Sequence, residues 1–196
     1  VDLNTNSRLV VTYSAEQRNL TLLQGEAYFD VASNKSRPFT VTIDGSTVTA
    51  VGTAFNIHRQ NGTDVSIAVT EGVVKVAERP DAAVPTPNSR LVEAEQSISL
   101  DHRGLGELTS LNPRTATAWR SKTLVFEQAP LPLAIKQLNR YLENPVDASQ
   151  QPLNQLSVSG TFSVEAPDET LDAIVASFDL DVNETEQGQR YLSPSK

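Results

Sequence analysis

No cysteine occurs anywhere in the chain, so neither a disulfide framework nor a zinc site built on thiolates can hold it together. Methionine is absent too, position 1 included, and the expectation is that these residues belong to a longer or processed polypeptide. Histidine occurs only at His58 and His102, with no spacing that suggests metal ligation. Structural roles are expected for both, with no metal and no cofactor. No G-x-S-x-G, P-loop or G-x-G-x-x-G sequence is present, which removes the usual signatures of serine hydrolases and nucleotide-binding loops. Carboxylates are abundant, so a chance pair of them says nothing about glycoside hydrolysis. No apolar run approaches the roughly 18–20 residues of a membrane span. Cations are outnumbered, with 16 Lys and Arg against 24 Asp and Glu and a net charge of -8. Each half of the chain is acidic and neither has a basic face. Nucleic acid and anionic membranes both require clustered cations, so both are disfavoured as partners. Aromatic residues make up 6% and apolar residues 38%, enough for a core but a lean one.

What is present first is a repeated device of strand, glycine, strand. It occurs as Leu20-Thr21-Leu22-Leu23-Gln24-Gly25-Glu26-Ala27-Tyr28-Phe29-Asp30-Val31, around Gly52 between Val48 and Ile57, and around Gly72 between Val65 and Val76. Alternation places Leu20 and Leu22 on one face before Gly25, and Ala27, Phe29 and Val31 on one face after it. Gly25 is expected at a corner between two short strands, or where another backbone comes close. Period-2 segments continue at 9–13, 39–43, 47–51, 54–59, 64–69, 73–77, 91–94 and 97–100, joined by turn residues such as Asp44-Gly45-Ser46 and Asn61-Gly62. Residues 79–90, with three prolines, read as a surface excursion. The expectation is an all-β domain of two packed or wrapped sheets over residues 1–112.

Residues 113–118 read as a linker, and the period then changes. Leu131, Ile135, Leu138 and Leu142 form a helical stripe, as do Leu171, Ile174, Val175 and Phe178 behind Pro167, Asp168 and Glu169. Strands at 123–127, 145–148, 156–164, 180–183 and 190–192 surround them. The fold class expected overall is mixed: the all-β domain, then an α+β module over 119–196 made of duplicated β-α-β units.

The succession Leu3-Asn4-Thr5-Asn6-Ser7-Arg8-Leu9, Gln24-Gly25-Glu26-Ala27-Tyr28-Phe29-Asp30-Val31, Arg37-Pro38-Phe39, Gly52-Thr53-Ala54-Phe55-Asn56-Ile57 and Glu71-Gly72-Val73-Val74 resembles the periplasmic domain of FecR-type anti-sigma regulators. Val158-Ser159-Gly160-Thr161-Phe162, flanked by the two helices, resembles the short N-terminal signalling fold of secretins and TonB-dependent transducers. The resemblance implies the periplasmic part of a single-pass inner-membrane protein. Its implied partners are the signalling domain of an outer-membrane TonB-dependent siderophore receptor and, through a cytoplasmic segment absent from this sequence, an extracytoplasmic-function sigma factor. Membrane contact would come only through a helix that is likewise absent from it. Receptor binding is expected on residues 1–112. A stand-alone periplasmic ligand-binding or scaffold protein built from the same folds is the alternative.

The resemblance also implies one piece of chemistry in a chain otherwise expected not to be an enzyme. Some FecR-type regulators break themselves once at a Gly-Thr bond, and Gly52-Thr53 aligns with it. The alternative is that Gly52 only forms a strand corner; Gly62-Thr63 and Gly160-Thr161 show how readily the dipeptide recurs.

Overall fold

The structure, a computed structural model, describes residues 1–60, 64–79 and 88–195. The Asn61-Gly62 turn, the Gly62-Thr63 dipeptide and positions 80–87 of the 79–90 excursion lie outside the described residues. The chain divides into two compact units, Val1–Thr117 and Ala118–Lys196.

In the first unit the strands are β1 (Asp2–Leu3), β2 (Arg8–Tyr13), β3 (Arg18–Asp30), β4 (Phe39–Ile43), β5 (Ser46–Ala50), β6 (Ala54–Arg59), β7 (Val65–Glu71), β8 (Val73–Ala77), β9 (Ser89–Glu93), β10 (Gln96–Asp101) and β11 (Gly104–Ser110), followed by a short helix α1 (Pro113–Thr117). They form one path, β11-β10-β7-β6-β3-β4-β5-β8-β9, with β1 and β2 added along β3. β3 serves both layers: its start runs parallel to β4, and its end pairs antiparallel with β6. The ends of the path, β9 and β10–β11, approach one another, so the sheet wraps nearly closed.

The expected corner at Gly25 is instead the middle of a single 13-residue strand. Sequence parity explains why glycine is there. Leu20 and Leu22 are buried before it, whereas Ala27 and Phe29 are buried after it. Even positions therefore point inward on one side of Gly25 and odd positions on the other. A regular strand cannot aim both sets at one core, because successive side chains alternate. The extra residue is Leu23, which the register with β2 skips between Leu22 and Gln24, and Gly25 just beyond it takes φ +82°, a left-handed conformation open to glycine. A side chain there would also collide with the first turn of the chain, since a Cβ would stand 2.6 Å from the Asn6 carbonyl oxygen. The core at the centre of the wrap is aromatic: Phe29 stacks on Phe55 at 5.1 Å, and Phe39 meets both edge-on at 5.8 and 6.4 Å.

The second unit comprises β12 (Thr123–Pro130), α2 (Leu131–Leu138), β13 (Val146–Asp147), β14 (Ser157–Ser163), α3 (Pro167–Ser177), β15 (Leu180–Glu184) and β16 (Arg190–Pro194). The element order is the expected one, but the pairing does not make two equivalent β-α-β units. β12 pairs antiparallel with β14, and β13 lies parallel to β16, which pairs antiparallel with β15. Each strand of the first half thus pairs with a strand of the second. Period and turn signals locate strands; they do not carry which strand is the neighbour. Helix α2 also stops at Leu138, short of the Leu142 stripe end. Asn139 stops it: its side-chain amide accepts from Val146 N–H at 2.9 Å and donates to Val146 O at 2.8 Å, clipping β13 to the helix end. Leu131, Ile135, Leu138, Leu153, Leu171 and Leu192 form the centre of this unit's own core.

Candidate functional site

Two of the glycine devices meet at Gly52-Thr53. Gly52 has φ +72°, and a Cβ on it would stand 2.8 Å from Ser33 Cβ, in the segment leaving β3. Gly72, at φ +76°, faces the dipeptide from the turn between β7 and β8. A Cβ there would lie 2.8 Å from Thr53 Cγ2 and 3.2 Å from the Gly52 carbonyl oxygen. Glycine at both positions therefore lets the two backbones close on each other. Thr53 is buried, and its carbonyl accepts from Val31 N–H at 2.9 Å. Its hydroxyl has no hydrogen-bond partner among the described residues, although it is out of contact with solvent. A buried hydroxyl left unpaired costs about 1–3 kcal/mol, so this position is not optimised for stability. A buried hydroxyl without a partner among the described residues thus directly follows a left-handed glycine.

The other motif residues converge on Glu26, a cluster that sequence reasoning did not assemble. Its carboxylate is buried and accepts from Asn4 Nδ2 and Asn56 Nδ2, each at 2.8 Å. The Ser7 hydroxyl accepts from Glu26 N–H at 2.8 Å and donates to Glu26 O at 2.9 Å. Asn4 N–H donates to the same carbonyl at 2.9 Å. The first turn of the chain is thereby bound to the middle of β3 by buried polar groups, each of which would be costly to leave unpaired. The signal for this was visible as Asn4, Ser7, Glu26 and Asn56 within the quoted segments, but strand register was needed to bring Asn56 opposite Tyr28, two residues from His58, Glu26's own partner, and so onto the same face.

His58 stands half-buried on β6, in register with Glu26 and Ser66, and His102 is exposed in the turn after β10. Among the described residues no group of three or more His, Asp or Glu is placed to hold a metal ion. No described helix is long and apolar enough to cross a membrane. At the surface, hydrogen bonds from Arg103 hold the Asp101 carboxyl below the usual carboxylate range, and the same pairing raises the Arg103 guanidinium.

An N-terminal unit of wrapped β-sheet pinned around a Gln-Gly-Glu centre, followed by a separate α+β unit, defines a class of two-part chain. Residues 1–75 match the FecR protein family, so the chain is FecR-like over that stretch, and the resemblance seen in its sequence holds. Two crystal structures of a candidate anti-sigma factor from Parabacteroides distasonis ATCC 8503, at 2.50 and 1.65 Å resolution, share the fold. Their TM-scores are 0.75 and 0.77 at 20% identity, covering 99% of this chain and 89% of each of theirs. No curated protein matches the chain.

Proposed function

We propose that this chain is the periplasmic signal-relay region of an inner-membrane anti-sigma regulator. In this reading it binds the N-terminal signalling domain of an outer-membrane TonB-dependent siderophore transducer, and so governs an extracytoplasmic-function sigma factor. The observation that carries the reading is the FecR match over residues 1–75. The fold shared along 99% of the chain with a candidate anti-sigma factor supports it. The C-terminal unit is read as a module of the short N-terminal type found in secretins and transducers, and receptor binding is assigned to residues 1–112. The test is a reporter driven by the cognate sigma factor in the native host. Removing the encoding gene should uncouple the reporter from the siderophore, and restoring it should recouple them. A reporter that responds equally with and without the gene rejects the role. An alkaline phosphatase fusion to the C-terminus should be active, as periplasmic exposure requires; an inactive but intact fusion would exclude that location.

A single self-cleavage at Gly52-Thr53 belongs to the same proposal, supported by the unpartnered hydroxyl of Thr53 and the left-handed Gly52. Thr53 Oγ1 would attack the Gly52 carbonyl carbon, forming the ester C–O bond as the C–N bond breaks and the hydroxyl proton passes to the new amine. Water would then hydrolyse the ester, leaving a Gly52 carboxylate and restoring the Thr53 hydroxyl. Mass spectrometry of purified chain on standing should find a fragment beginning at Thr53, and none from Thr53→Ala. Wild-type chain that stays intact would leave the corner with a structural role alone.

A further inference from the structure

We infer that the outer edge of β2 is a docking rail for an extended strand of a partner protein, apolar at alternate positions and acidic at its ends. The inference rests on the receptor-binding role proposed for residues 1–112 and names the surface within them. β2 pairs with β3 alone among the described strands, so one side of its main chain offers unpaired N–H and C=O groups. The two ends of the strand path in this unit are guarded, and β1, which also pairs with β3 alone, is only two residues long. β9 carries Arg90 and Glu93, β11 carries Glu107 and two glycines, and these two ends of the path approach one another. β2, in contrast, reads Leu9-Val10-Val11-Thr12-Tyr13 after Arg8, with no charge, proline or glycine to discourage pairing.

Register shows that the core itself is open along this edge. Val11 lies opposite Leu20, and opposite residues of an antiparallel pair share a face. Leu20 is 2% exposed, whereas Val11 is 57% and Tyr13 51% exposed. An added strand would cover these two residues and extend the inner layer.

Charge decides the occupant. Arg8 opens the strand, and at its far end Arg37 Nη2 donates to Ser14 O at 2.7 Å, while Arg18, opposite Tyr13, lays its guanidinium over the Phe39 ring at 5.5 Å on the β4 side. Arg18 and Arg37 donate to main-chain carbonyls, and neither meets a carboxylate among the described residues. Glu16, the acid of the adjoining turn, accepts from the Ser14 hydroxyl. In a chain of net charge -8, this edge is cationic at both ends. A second copy paired about a two-fold axis would set Arg8 of one chain against Arg37 of the other, so like charges oppose self-pairing. A strand with Asp or Glu at its ends meets no such opposition.

The probe is a capped peptide, Glu-Val-Thr-Val-Thr-Val-Thr-Glu, titrated into the intact chain beside a counterpart with Lys at both ends. The acid-ended peptide should slow amide hydrogen exchange within residues 8–13 and bind about tenfold more tightly than the Lys-ended one. Val11→Lys should abolish the protection. Arg8→Glu, at an exposed position, should erase most of the preference for acid, with an unchanged melting temperature showing that the fold is intact. Equal binding of the two peptides, or protection that survives Val11→Lys, overturns the assignment. So does a concentration-dependent dimer that Val11→Lys dissolves, which would give the edge to a second copy. A receptor signalling domain that binds the Val11→Lys chain as tightly as the parent would refute this surface while leaving receptor binding standing. Protection of β2 by the acid-ended peptide, with no signalling domain binding at all, would refute the receptor reading and leave the surface.

Discussion

Thr53→Val should make the protein more stable, an unusual direction for a substitution at a buried polar residue. Valine keeps the β-branched shape, and so keeps the Cγ2 methyl that packs against Gly72. It replaces a hydroxyl that has no partner among the described residues with a methyl. Relief of the unpaired hydroxyl is worth about 1 kcal/mol at the low end, and burial of the new methyl adds ~0.8 kcal/mol. A net gain of about 1–2 kcal/mol follows, which for a domain of this size raises Tm by a few degrees, roughly 3–8 °C. Urea unfolding of parent and variant, followed by circular dichroism and by amide hydrogen exchange within residues 1–117, reads the midpoint at constant m. Thr53→Ser separates the two contributions: it keeps the hydroxyl, loses the methyl, and should cost about 1 kcal/mol. The reasoning is refuted if valine destabilises by more than about 1 kcal/mol while serine is neutral, because the hydroxyl would then be making a stabilising hydrogen bond.

Gly25→Ala should cost more than about 2 kcal/mol, since the left-handed backbone alone costs a side chain about 1–2 kcal/mol and the Asn6 carbonyl occupies the space; a change under about 0.5 kcal/mol in urea unfolding would reject the parity argument. Glu26→Ala should cost about 3 kcal/mol by removing the carboxylate that the Asn4 and Asn56 amides donate to, and should speed hydrogen exchange at residues 2–8 before the rest of the unit; uniform loss of protection would show that the first turn is not separately pinned. Asn139→Ala should destabilise the C-terminal unit by about 2 kcal/mol through its two bonds to Val146, read as a lower unfolding midpoint for residues 118–196 alone. Asp101 is depressed in the folded chain, so what it contributes is present above the ordinary carboxylate range and lost as pH falls through its lowered value; Arg103→Ala should return its NMR titration to ordinary range, and an unmoved titration would deny the pairing.

The strands were legible wherever one face is buried, because alternation is then imposed by the core. The segments at 39–43, 54–59 and 73–77 coincide with β4, β6 and β8. β11 was not legible: its residues are half-buried or exposed throughout, and Gly104 and Gly106 interrupt any pattern. β1 is two exposed residues held by register with Tyr28 and Ala27, which no local signal announces. In the second unit both helices were visible in their stripes, but the exchange of strand partners was not, since it depends on contacts between residues far apart in sequence. At the candidate site the sequence singled out Gly52 and Thr53 and could not show that the hydroxyl is buried without a partner. Asn4, Ser7 and Glu26 were each in view, yet only the register of β3 with β6 makes them a cluster with Asn56.

The central claim, that this chain binds a receptor's signalling domain through its β unit, is tested most directly by hydrogen exchange on the intact chain. The chain would be mixed with the signalling domain of the TonB-dependent receptor encoded nearest to it. The expected result is a saturable complex with slowed exchange within residues 1–112, strongest at residues 8–13. No complex, or protection confined to residues 119–196, would contradict it.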